Sequence, residues 1–126
     1  MTEAELQTWV ADYIRMQYPD VLFHSDYGSG IKLTIGQAAK QKRQNGGRRG
    51  WPDMFIAKGV GAYHGLFIEL KKEGTRIWKK DGSPASDHIA EQIRVINKLN
   101  DLGYKAVIAC GFNEAKEVID KYLEIK

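Results

Sequence analysis

Residues 50–54 read Gly-Trp-Pro-Asp-Met and residues 67–71 read Phe-Ile-Glu-Leu-Lys, so the carboxylates of Asp53 and Glu69 stand sixteen positions apart. Around them, Met54 to Ala57 and Leu66 to Leu70 are short runs rich in Phe, Ile and Leu, separated by the Gly-rich stretch 58–65. They are expected to be neighbouring antiparallel strands. Side chains alternate faces along a strand, so Glu69 and Lys71 emerge on one face while Ile68 and Leu70 emerge on the other. A carboxylate and an amine therefore share a face beside Asp53, which sits just before the second strand.

Working outward, Thr2 and Glu5 form a capping-box pattern. Leu6, Trp9, Val10, Tyr13, Ile14 and Gln17 then recur at helical spacing until Pro19, which predicts a helix over residues 3–17 with Trp9 in the core. Val21 to His24 is a short β-prone run leading into the turn-rich Asp26 to Gly30, and a long loop is expected from there to Gly50. On the other side, Ser86 offers an N-cap for a helix whose Ile89, Ile93, Ile96 and Leu99 form an apolar stripe, with Gly103 as its stop. Lys105 to Cys110 supplies one more strand, and Asn113 is expected to cap a last helix carrying Val118, Ile119 and Tyr122. The order αβββαβ plus a C-terminal helix predicts an α/β fold with a mixed central sheet flanked by helices.

The 126 residues fit a single domain, 1–126, with no second core. One cysteine, Cys110, excludes an internal disulfide framework, and no Cys/His cluster has zinc spacing. No apolar stretch approaches the ~18 residues that a membrane span needs, and the N-terminus lacks a positive leader segment, so a cytoplasmic protein without membrane contact is expected. Net charge is only +3, but it is unevenly placed. Lys40, Lys42, Arg43, Arg48 and Arg49 fall within residues 36–50 with no acid among them; Lys71, Lys72, Arg76, Lys79 and Lys80 fall within residues 71–80 against Glu73 alone. Such runs are either solvated loops or the electrostatic footprint of a polyanion. Trp51 and Trp78 flank them, placed either to stack on bases or to pack.

Two carboxylates with an amine on the same face suit phosphodiester hydrolysis. The carboxylates can hold a hard divalent cation through oxygen; the ion polarises a phosphate and lowers the pKa of a bound water, and the ammonium can orient that water or meet developing charge. Pro52-Asp53 followed by Glu69-Leu70-Lys71, in this order of elements, resembles the PD-(D/E)xK nuclease pattern of the restriction-endonuclease-like superfamily. Within it the chain is most similar to the small stand-alone VRR-NUC domains of phages and bacteria, in which an early helix Glu, a G-x-PD turn, an E-x-K strand and a Gln on the following helix recur. Those positions fall on Glu5, Gly50 with Pro52-Asp53, Glu69 with Lys71, and Gln92.

The resemblance spans about residues 3 to 112. It implies a DNA endonuclease using Mg²⁺ or Mn²⁺, with Asp53, Glu69 and the main-chain carbonyl of Leu70 as metal ligands. It further implies that Lys71 assists the attacking water, that Glu5 contributes through the metal or its water, and that Gln92 orients Lys71 or the phosphate. It places the protein in a bacterial or phage-infected cell. Glu5 also has a structural reading as the third helical residue of the capping box, with Glu3 as a substitute at the site. The three histidines share no element; only His24, at the end of the first strand, could face the same cleft. The expected DNA contacts are Lys40, Lys42, Arg43, Arg48, Arg49, Lys72 and Arg76. So small a domain is expected to select DNA by shape (branched, flapped or four-way) rather than by sequence, and as a symmetric homodimer if the substrate is a symmetric junction. The rival reading is a non-catalytic nucleic-acid-binding module using the basic loops 36–50 and 71–80. It gives no reason for Asp53, Glu69 and Lys71 to converge.

Overall fold

The structure, a computed structural model, describes residues 1–26 and 33–124. The turn expected over Tyr27 to Gly30 lies outside them. Helix α1 (Glu3–Gln17) begins at Thr2, whose side chain accepts from the Glu5 N–H. Then follow β1 (Phe23–Ser25), α2 (Ile35–Gln44), β2 (Met54–Ile56), β3 (Leu66–Lys71), α3 (Asp87–Asp101), β4 (Lys105–Cys110) and α4 (Phe112–Leu123). The sheet order is β1-β2-β3-β4, antiparallel except for β3 and β4, which are parallel and joined through α3. The mixed sheet and the strand-helix-strand crossover agree with the sequence reading.

Two packed layers follow from strand alternation. Leu66, Ile68 and Leu70 share one face with Met54, Ile56 and Ala109, and pack against Leu6, Val10 and Ile14 of α1 and Ala115, Ile119 and Tyr122 of α4. On the other face Phe67, Ala106 and Ile108 pack with Val95, Ile96 and Leu99 of α3. The apolar side chains of β3 thus point into the larger core, and the same alternation delivers Glu69 and Lys71 to the α3 side.

Three expectations need correction. The segment expected as loop contains α2, opened by a full capping box between Thr34 and Gln37. It carries no apolar stripe because none of its residues is buried, so periodicity could not reveal it. Trp9 is 57% exposed rather than in the core, since Leu6, Val10 and Ile14 at four-residue spacing take the buried face and leave Trp9 edge-on to Phe112 at its flank. Finally, α4 starts at Phe112 rather than after Asn113. Gly111, at φ +89°, makes the turn where an added Cβ would lie 3.1 Å from the Cβ of Glu73.

Candidate active site

Asp53 leaves the turn before β2 with its Oδ2 accepting the main-chain N–H of Leu70 at 2.8 Å, which ties it to the strand carrying Glu69 and Lys71. The turn itself depends on Gly50. At φ +84° it presses onto α3 so closely that a Cβ would lie 2.9 Å from the main-chain nitrogen of Gln92. Gln92, buried on the inward face of α3, donates through Nε2 to Glu69 Oε1. Gly50, Asp53, Glu69, Lys71 and Gln92 thereby meet at one cleft of about 460 Å³, between the C-terminal half of β3, the start of α3 and α2.

Glu69 is 3% exposed and Lys71 7%. Burial, then the Asp53 carboxyl lying against it, hold the Glu69 carboxyl well above the usual carboxylate range, and the Lys71 ammonium only partly opposes them. Among the described residues, the buried side-chain polar atoms without a hydrogen-bond partner are Glu69 Oε2 and Gln92 Oε1, both at this site. Buried acceptors are ordinarily satisfied, so an orphaned carboxylate oxygen beside a second carboxylate fits a cation between them. The donor set is all oxygen, as Mg²⁺ or Mn²⁺ requires. No third His, Cys, Asp or Glu completes a cluster among the described residues.

The structure separates the two N-terminal acids. Glu3 is half-buried, lines the cleft and raises the Glu69 pKa by its charge. Glu5 is exposed and does not line the cleft; it sits in the cap, with the Thr2 hydroxyl 3.2 Å from its Oε1. One turn further, buried Gln7 donates to Ser25 Oγ at 2.5 Å and to the Asp26 carbonyl at 2.6 Å, fixing the end of β1 to α1. Asp26 is thereby brought to the cleft, its N–H donating to the Asp53 carbonyl at 2.7 Å. Burial raises its pKa; the His24 charge opposes that and the Asp53 charge adds to it.

Sequence reasoning passed over Asp26 and also His88, whose Nε2 lies 3.3 Å from the Gln92 amide nitrogen. That contact is a hydrogen bond only when this ring nitrogen is the unprotonated one. Only the four-residue interval to Gln92 could have flagged His88.

The basic residues divide. Lys42, Arg48 and Arg49 line the cleft, and Arg94 of α3, unnoticed in the sequence, joins them in an adjoining hollow. Lys40 and Arg43 lie on another side of α2. Lys72, Arg76, Lys79 and Lys80 are exposed but do not line the cleft, so of the second basic run only Lys71 reaches it.

No family model and no curated protein matches the chain. Among solved structures, one titled "VRR_NUC domain protein" is 33% identical, with TM-score 0.72 over 99% of this chain and 90% of that one. Another, titled "VRR_NUC domain", shares the fold at TM-score 0.52 and 18% identity, covering 97% of this chain and 99% of that one. The 33% identity to the first of these, over nearly the full length of both chains, places this chain in the VRR_NUC family of nuclease domains.

Proposed function

We propose that the chain is a divalent-cation-dependent DNA endonuclease that hydrolyses phosphodiester bonds at the Asp53–Glu69–Lys71 cleft and selects DNA by its shape. The observation that carries this reading is the orphaned Glu69 Oε2, buried against Asp53 with a lysine on the same strand face. A carboxyl buried beside a second carboxyl costs stability, and groups perturbed in this way cluster at functional sites.

Asp53, Glu69 and the Leu70 carbonyl would hold Mg²⁺ or Mn²⁺, which when bound polarises the phosphate and acidifies a water. Gln92 fixes one oxygen of Glu69, leaving the other free to bind. Asp53, anchored by the Leu70 N–H, keeps its second oxygen for the same purpose. Lys71, on the Glu69 face of β3, orients the attacking water and meets charge developing on the phosphate. Lys42, Arg48 and Arg49 hold the substrate through its phosphates, without reading bases. Among the described residues no helix is long and apolar enough to cross a membrane.

The test is cleavage of labelled duplex, flap, splayed-arm and four-way DNA, each with EDTA, Mg²⁺ or Mn²⁺. Cation-dependent cutting of branched forms ahead of duplex is expected. Tight binding of all four without cutting under any cation would overturn the proposal in favour of a binding module.

A further inference from the structure

Among the described residues, the α3 side of the sheet is only half covered. Helix α3 closes over β4 and the Phe67 edge of β3, but the same face continues through the register partners Phe67, Phe55 and His24 onto β2 and β1. Phe55 and Phe67 stack at 4.4 Å between ring centroids, and Trp51 stands 6.2 Å from Phe67. Together they line a groove of about 570 Å³, whose remaining wall includes His24, Gln44 and Asn45. This groove is continuous with the candidate active site: Asp26, Asn45, Trp51 and Asp53 border both.

We propose that the groove receives one unpaired nucleobase of the strand being cut, stacked on the Trp51/Phe55/Phe67 surface, while the adjoining phosphate lies over Asp53 and Glu69. The inference deepens the nuclease reading of the cleft and rests on it. A hollow of this volume suits a small aromatic ligand, with aromatic walls and a few polar groups for its edges. Gln44 and Asn45 offer both donors and acceptors, as base edges require. Asp26 and Asp53 border both hollows, but Lys42, Arg48 and Arg49 line only the cleft, so phosphate is favoured there and the aromatic groove is left for the base. A paired base must first leave its stack to enter; a base already unpaired at a flap, gap or bulge does not. The groove therefore supplies a physical origin for shape selectivity. One base stacked on aromatic side chains corresponds to roughly 5- to 150-fold in affinity.

The experiment measures affinity of the full chain, in Ca²⁺, for a duplex, for the same duplex with one unpaired nucleotide, and for that substrate with the unpaired base replaced by an abasic site. Phosphate count is constant between the last two, so the electrostatic contribution cancels. The native chain should prefer the base over the abasic site by roughly 5- to 150-fold. Trp51→Ala should erase that difference, while Trp51→Phe, which restores a ring, should recover most of it. Phe55→Leu keeps apolar volume on β2 and repeats the test if Trp51→Ala does not fold.

Equal affinity for base and abasic site in the native chain, with the unpaired nucleotide moved to each position around the cut, overturns the proposal. So does a Trp51→Ala variant that keeps the preference, or one that instead changes the oligomeric state by light scattering, which would make the groove a contact between copies. Parallel cleavage in Mg²⁺ separates the two readings. A chain that cuts nothing overturns the nuclease assignment, and one that cuts base and abasic substrates alike overturns the groove alone.

Discussion

Oδ2 of Asp53 accepts the main-chain N–H of Leu70 at 2.8 Å, so an acid from the turn before β2 is fixed to the strand that presents Glu69 and Lys71. This bond gives Asp53 two separable tasks, one met by any acceptor at that point and one that requires charge. Asp53→Asn keeps an acceptor for the Leu70 N–H; it should retain the thermal stability of the native chain and lose cleavage. Asp53→Ala should lose cleavage and also about 1–3 kcal/mol of stability, because a part-buried N–H is left without a partner. Thermal melting and Mn²⁺-supported cleavage of both variants check this, and near-native turnover in Asp53→Asn would remove Asp53 from the cation site.

The two glutamates at the start of α1 should separate in the same way. Glu3 lines the cleft and its charge bears on Glu69, whereas Glu5 is exposed and occupied by the cap. Glu3→Gln is expected to raise the cation concentration needed for half-maximal cleavage or lower turnover by about 10- to 100-fold, the usual effect of a group acting on a metal site from outside its ligands. Glu5→Gln preserves the capping pattern and should cleave as the native chain does. Reversal of the two results would restore Glu5 to the site.

How much of this site could be read from the sequence depends on what holds each residue in place. Glu69, Lys71 and Gln92 converge because strand alternation and the inward stripe of α3, both periodic signals, fix their directions, and Asp53 joins them from the turn before β2 through the Leu70 N–H. Glu3 and Glu5 are two residues apart at a helix start, where cap geometry decides which one turns inward and periodicity does not. Asp26 arrives through hydrogen bonds from Gln7, a tertiary contact with no local signature. Helix α2 escaped because it buries nothing. Its Thr34-x-x-Gln37 box and run of Ala, Lys, Gln and Arg carry the only sequence signal, one of local propensity.

Stability of the cation-free protein should fall as pH rises. Burial, and then the adjacent Asp53 carboxyl, push the Glu69 pKa from 4.5 up to about 10. Between those values the unfolded chain has released this proton and the folded chain retains it, so the slope of stability against pH is negative over that window. In EDTA, Tm should decline from pH 5 to pH 9 more steeply for the native chain than for Glu69→Gln, which cannot ionise. Mg²⁺ binds the ionised form, so the Tm gain it produces should grow with pH. Parallel Tm profiles for the native chain and Glu69→Gln, with or without Mg²⁺, would mean that Glu69 ionises freely and that the site is not built around a cation.

The basic wall gives the last prediction, because the structure divides residues that the sequence grouped together. Lys42, Arg48 and Arg49 line the cleft, while Lys79 and Lys80 are equally exposed but lie outside it. Each lysine or arginine that neutralises a phosphate releases condensed counterions, so its removal lowers the slope of log affinity against log salt by about 1. Arg48→Ala/Arg49→Ala should therefore lower the slope by about 2 and weaken DNA binding to a similar extent across sequences. Lys79→Ala/Lys80→Ala should leave slope and affinity unchanged. All four side chains are exposed, so melting temperatures of both double variants should match the native chain, and any change in affinity reports contact rather than unfolding. Affinities measured in Ca²⁺ over a range of salt concentrations decide the matter. An unchanged slope in Arg48→Ala/Arg49→Ala with a reduced one in Lys79→Ala/Lys80→Ala would move the DNA to the 72–85 loop and leave the wall beside α2 as a solvated surface.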